Sequence, residues 1–205
     1  MSQFFQIHPE NPQARLIRHA VEIIEQGGVI AYPTDSAYAL GCHLGNKSAV
    51  DRIRQIRKLD DKHHFTLMCR DLSDIAIYAK LDNQQYRLIK AHTPGAYTFI
   101  LDATSEVPRR LMAKRRQIGI RVPDNKIALG ILEELTQPLM STTLILPGDD
   151  MPMTDPYEIR GVLEHSLDLV IDGGFCGFEA TSVVDLASDP PVVVREGCGD
   201  ISVFV

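Results

Sequence analysis

Long apolar runs are missing from this chain. None approaches the roughly 20 residues that cross a bilayer, so no membrane partner is expected. The opening stretch, MSQFFQIHPENPQ, lacks a basic start, a long apolar centre and a small-residue cleavage site, and so lacks the pattern of a secretion signal. The four cysteines, Cys42, Cys69, Cys176 and Cys198, are far apart and include no C-x-x-C pair. Reduced, mostly buried thiols, no metal site and a cytoplasmic location are the expectation. Standard nucleotide and hydrolase signatures are absent too. There is no G-x-x-x-x-G-K-[ST], no G-x-G-x-x-G after the first strand, no H-E-x-x-H and no G-x-S-x-G. These absences exclude a P-loop protein and argue against a dinucleotide fold, a zincin or a nucleophile-elbow hydrolase. No repeat, low-complexity tract or linker divides the chain, and residues 1–205 read as one domain.

Hydrophobic residues make up 44% of the 205 positions and charged residues 23%, an ordinary globular balance. The net charge of −6 argues against a generic DNA-coating protein. Its distribution says more, because 11 of the 21 lysines and arginines fall in windows 47–63 and 109–116. The second window carries no acid. Arg52, Arg109, Arg110, Lys114, Arg115 and Arg116 are therefore candidates for RNA contact, if both windows share a face. Two solvated helix surfaces are the competing reading.

Periodicity predicts helices over 12–26 (capped by Asn11), around 49–56, near 71–79 and 83–92, over 125–135 and over 156–165. Strands are predicted at 29–32, 65–69, 97–103, 117–122, 139–146, 168–174, 181–186 and 192–196. Strands alternate with helices and then cluster towards the end. The expected fold class is α/β, with a twisted mixed sheet and flanking helices. The adjacent pair His63-His64 cannot place both rings on one strand or helix face, and a surface role is its default.

Several strand ends finish in small hydroxyl, glycine or arginine residues. In chain order they form a specific set. GGVIAYPTDSAYALGC resembles the "GG-x-IA-x-PT-E-x-x-Y-G-x-G" opening of the YrdC-like family. Pro94-Gly95 with Tyr97-Thr98 is similar to its "PG-x-x-T", Ile120 to Pro123 to its "VRVP", and Pro138 to Thr143 to its "P-x-x-STSAN". Asp172-Gly173-Gly174, Thr181 to Asp185 and Arg195-Glu196-Gly197 resemble "DGG", "STVVD" and "RPG". The chain is identified as a member of that family, closest to its YciO branch, with the motifs inside about residues 14–200.

The resemblance implies a YrdC-like fold, with a concave, positively charged face. It also implies relatives that make threonylcarbamoyl-adenylate from L-threonine, bicarbonate and ATP for the threonylcarbamoyl modification of tRNA, and a proposed affinity for duplex RNA. ATP, with magnesium, is the implied ligand or substrate. Thr34, Arg121, Ser141 and Thr181 match the family's positions for the amino acid. Arg57, Thr143 and Arg195 match those for the nucleotide. No residue is assigned a catalytic role. The family's K-x-R falls on Arg57-Lys58-Leu59, and its S-A-N on Thr143-Leu144-Ile145. One cation and one amide are thus replaced by apolar side chains. The leading expectation is a nucleotide- and RNA-binding (tRNA or duplex) relative of the synthases with residual or altered adenylate-forming activity. An active synthase is the alternative, and a paralogue kept for another interaction is a third reading.

Overall fold

The computed structural model describes residues 1–60, 63, 65–112 and 116–204. Among them, ten strands form one sheet: β1 (Gln3–Gln6), β2 (Val29–Tyr32), β3 (Ala39–His43), β4 (Thr66–Met68), β5 (Tyr97–Asp102), β6 (Gln117–Arg121), β7 (Leu139–Thr143), β8 (Leu169–Asp172), β9 (Ser182–Asp185) and β10 (Val192–Arg195). Their spatial order is β1-β8-β2-β3-β7-β4-β6-β5-β9-β10. Parallel pairs (β1·β8, β2·β8, β4·β6, β5·β9) mix with antiparallel ones, as the late clustering of strands predicts.

Among the described residues the α-helices are α1 (Ala14–Glu25), α2 (Lys47–Arg57), α3 (Leu72–Tyr78), α4 (Asn83–Ala91), α5 (Lys126–Leu135) and α6 (Pro156–Leu163). Five start on a side-chain cap. Asn46, Asp71, Asp82, Asn125 and Asp155 each accept backbone N–H groups of the first turn. Each such cap is worth about 1 kcal/mol. Helix α1 differs from expectation. It begins after Gln13, not after Asn11, and has no side-chain cap. The Gln13 amide oxygen instead accepts the His8 N–H at 3.1 Å, and His8 Nδ1 accepts the Asn11 N–H at 3.1 Å. The polar groups that could cap the helix are spent on closing the loop before it.

Periodicity does not predict strands β1 and β3. QFFQ is too short to show a period, and Gly41 interrupts ALGCH, weakening the strand signal. The structure gives that glycine a reason. A Cβ at Gly41 would stand 2.8 Å from both the Tyr32 ring and the Leu139 side chain. The strand can pass between them only without one.

Alternation divides the sheet into two faces. Val29, Ala31, Leu40, Cys42, Leu67, Phe99 and Leu101 enter one core with α2, α3, α4 and α6. Ile30, Tyr32, Ala39, Met68 and Leu139 enter the other, where α1 and α5 cover them. On this second face the cover stops at Leu139 and Met68 and does not extend over the rest of the strands from β7 to β10. There the inward positions are Ser141, Thr143, Thr66, Gly119, Arg121, Thr98 and Ile100, and they line a cavity. Register aligns Ser141 with Thr66, Thr66 with Gly119 and Gly119 with Ile100 across four strands. Small and polar residues at alternate positions of otherwise apolar strands thus mark the part of the sheet left open.

Candidate functional site

The cavity measures about 480 Å³. Thr34, Arg57, Arg121, Ser141, Thr143, Thr181 and Arg195 all line it, so both candidate groups from the sequence meet in one place. His63, Ser36, Thr66, Thr98, Thr142 and Ile145 complete the polar and wall positions used below. Its charged and titratable side chains among the described residues are three arginines, one histidine and Tyr38, whose phenol burial keeps neutral. Among the described residues no carboxylate lines it, and no cluster of His, Cys, Asp and Glu is arranged to hold a metal ion.

Arg121 leaves the end of β6 and is 6% exposed. Its Nη2 donates to Asp35 Oδ1 at 2.5 Å and lies 3.4 Å from Thr34 Oγ1. Thr34 also closes the turn between β2 and β3. Its hydroxyl donates to Ala37 O at 2.6 Å and accepts the N–H groups of Ser36 and Ala37, each at 3.2 Å. Ser141 Oγ lies 2.7 Å from the Tyr32 hydroxyl, whose own ionisation burial pushes far above the usual phenol range. The pair stays neutral and can only exchange hydrogen bonds. Thr181 Oγ1 lies 2.9 Å from Thr98 Oγ1.

Arg195, at the end of β10, donates from Nε and Nη2 to Thr181 O at 3.0 and 2.8 Å. A Cβ at Gly197, two residues on, would meet Ala180 O at 2.2 Å, so glycine lets this turn lie against the 180–181 backbone. Arg57, at the end of α2, donates from Nη1 to Ile145 O. Burial lowers the proton affinity of Arg57 and Arg195, and for Arg195 the charge of Arg121 adds to the effect. The Nε groups of Arg57 and Arg121 are buried and have no hydrogen-bond partner. Arg121 is paired with Asp35, whereas Arg57 and Arg195 face no carboxylate among the described residues, and desolvated guanidinium groups of that kind are stabilised by an anion.

The departures from the family motifs take definite places. Leu59 packs against the apolar core, and Lys58 ends α2 in a left-handed conformation (φ 49°) with an exposed side chain. Ile145 lines the cavity beside Thr143, with buried Leu144 between them. His63 corrects an expectation. It lines the cavity, with Nε2 3.3 Å from Thr142 Oγ1, while His64 lies outside the described residues. Thr66 is a further wall residue that the motifs do not single out, and Thr98, the threonine of the PG-x-x-T segment, joins it without a ligand role in the sequence reading; each is a lone polar position alternating with apolar ones.

The basic windows meet. Arg54 Nη2 donates to Arg110 O at 3.1 Å, and Arg110 Nη2 donates to Leu44 O at 3.2 Å and to Gly45 O. Arg52 pairs with Asp168, whose carboxylate also takes the Val29 N–H at 2.7 Å. Arg109 and Arg116 are exposed, and Lys114 and Arg115 lie outside the described residues. The thiols are all free. Cys42 and Cys69 are buried, but Cys198 is exposed and Cys176 half-buried, against the expectation of mostly buried thiols. Burial pushes Cys176 up to about 11, and its Sγ contacts Thr34 O at 3.6 Å, so it remains a thiol beside the site. No helix among the described residues is long and apolar enough to cross a membrane.

Comparison with known proteins agrees with this architecture. The Sua5/yciO/yrdC family, described as telomere recombination, matches residues 22–197. An uncharacterized protein of Haemophilus influenzae is 59% identical over the whole of both chains. The Escherichia coli protein YciO is 57% identical over the whole of both chains, and its crystal structure superposes with a TM-score of 0.98. The threonylcarbamoyl-AMP synthase of Pyrococcus abyssi is 28% identical over 88% of this chain and 54% of its own length. A crystal structure of P. abyssi Sua5 complexed with L-threonine has a TM-score of 0.89 at 25% identity, over 96% of this chain and 58% of that one. The chain therefore belongs to the Sua5/YciO/YrdC family and is related to its threonylcarbamoyl-AMP synthases.

Proposed function

We propose that the cavity binds an adenine nucleotide together with an amino acid, L-threonine before others, and that threonylcarbamoyl-adenylate formation there is residual. One observation carries the reading. In a protein of net charge −6, the permanently charged side chains lining the cavity, among the described residues, are all arginines, with His63 and the neutral phenol of Tyr38 as its other titratable groups. Arg121, with Thr34 and Ser141 beside it, suits a small ligand carrying a carboxylate and a hydroxyl. Arg57 and Arg195 suit phosphates. With no carboxylate in the described lining, magnesium would arrive on the phosphate oxygens. The reaction would join threonine's amine to bicarbonate, releasing water. A carbamate oxygen would then attack the α-phosphorus, and the bond to the β-phosphate would break with loss of pyrophosphate. Transfer of this kind depends on positioning and charge neutralisation. Apolar Leu59 and Ile145 supply neither, which is why slow turnover is the reading. Pyrophosphate release with ATP and bicarbonate, measured across amino acids, tests it in the cytoplasmic pH range. Release is expected to depend on threonine. Binding of neither ATP nor threonine would overturn the proposal.

The meeting of the two basic windows favours a second activity, binding of tRNA or duplex RNA through phosphates and 2′-hydroxyls. Arg110 is a poor probe, because its guanidinium holds the backbone at 44–45. Exposed Arg109 and Arg116 are better ones. Changing both to Glu is expected to weaken duplex binding in low salt. It should also reduce the log–log salt slope by roughly 2, about 0.9 for each phosphate that is no longer neutralised. Unchanged binding and slope would leave these residues as solvated surface.

A further inference from the structure

The wall between α2 and β7 holds Arg57, but that guanidinium already donates to Ile145 O. Leu59 adds no charge there. Among the described residues, the remaining chargeable group on this wall is His63, held by ring contacts and by Thr142. The Phe65 ring lies 5.6 Å away, edge-on at 78°, and the Arg54 guanidinium lies 5.1 Å from the centre of that same ring. The backbone N–H of His63 donates to Asp60 O at 3.3 Å. The ring is thereby set with Nε2 at Thr142 Oγ1 and its edge on the cavity.

We propose that His63 and Thr142 form a proton-dependent anion contact, so that a bound phosphate is held more tightly when His63 is protonated. The inference rests on the nucleotide reading above and adds a residue to it. A neutral Nε2 can accept the Thr142 hydroxyl hydrogen. A protonated ring must donate at Nε2, so the hydroxyl accepts there and its hydrogen turns elsewhere. The cavity then gains a positive charge and a free O–H donor in one step. Binding an anion and taking up the proton favour each other.

Among the described residues, the charged groups near His63 include Arg54 and Arg57 on α2 and Asp60 in the loop after it. β7 brings Thr142 and Thr143, β4 brings Thr66, and Phe65 just precedes that strand. Carboxylates and guanidinium groups ordinarily titrate near 4 and above 12, outside the interval around 6.5 where histidine changes charge. A slope between pH 5.5 and 8.5 that disappears with His63 therefore belongs to His63.

Calorimetric titration of the full chain with ATP, for wild type and His63→Gln across that interval, tests the proposal. Comparing the two proteins at each pH cancels the titration of ATP itself. The His63→Gln protein should bind about tenfold more weakly at pH 5.5 and equally well at pH 8.5. His63→Lys should bind more tightly than wild type at pH 8.5 and about equally at pH 5.5. A loss of the same size at every pH would mean a structural role and overturn the proposal. So would binding that His63→Gln leaves unchanged throughout. Absence of ATP binding by wild type at every pH would overturn the nucleotide reading as well, which separates the two failures.

Discussion

Arg121→Met should lower the stability of the fold by about 3–5 kcal/mol, because it leaves the Asp35 carboxylate charged and nearly buried without a partner. The two side chains are 7% and 12% exposed, and 2.5 Å separates Nη2 from Oδ1. For a chain of this size, a melting temperature shifts by roughly 2–4 °C per kcal/mol, so a drop on the order of 10 °C is expected in a thermal melt. The double change Arg121→Met with Asp35→Leu should recover most of that loss, since an apolar pair needs no desolvation of charge. It should not recover amino-acid binding. Stability and ligand affinity thus part company in the double variant. If it regains both, Arg121 is a structural ion pair and the threonine-facing role assigned to it is wrong. If Arg121→Met melts like wild type, the buried pair contributes little, and Asp35 finds another partner.

Threonylcarbamoyl-adenylate synthesis is expected to run roughly 10²–10³-fold below a relative with intact K-x-R and S-A-N motifs, the usual loss when a preorganised polar contact is removed. Two positions are altered, but such losses are seldom additive. Leu59→Arg together with Ile145→Asn should raise turnover by about tenfold or more, read as pyrophosphate released from ATP with threonine and bicarbonate. Ile145 already lines the cavity, so its amide replacement has a place to act. Leu59 packs against the core, and Arg at that position must first turn outward. The single Ile145→Asn variant should therefore show the smaller but cleaner gain. A wild-type rate equal to that of a motif-intact synthase would refute the diagnosis.

Much of this site is legible in the sequence because the motif residues carry their own constraints. Glycines, prolines and strand-end hydroxyls stand out, and all seven ligand-facing candidates reach one cavity. The mixed sheet is legible from the change in strand spacing. The parts that do not show share a cause: their signal is tertiary. Strand β3 is hidden by Gly41, which exists to admit Tyr32 and Leu139. His63 reads as a surface residue because a pair rule for two histidines says nothing about one of them entering a cavity beside Thr142. The start of α1 depends on His8 and Gln13 meeting across the preceding loop. Thr66 and Thr98, polar residues at the inward beat of apolar strands, are the signal in the sequence that marks the open half of the sheet.

The central claim is that the cavity with three arginines in its wall is a nucleotide site, and calorimetric titration with magnesium and ATP tests it most directly. Arg195 donates through Nε and Nη2 to the backbone beside Thr181 and holds its charge at the cavity wall. Hydrogen bonds to charged groups contribute about 1.5–3 kcal/mol, so Arg195→Ala should weaken ATP binding by roughly 10- to 100-fold. Saturable binding by the wild type with that loss in the variant is the predicted result. No measurable binding, or equal affinity for both proteins, would contradict it.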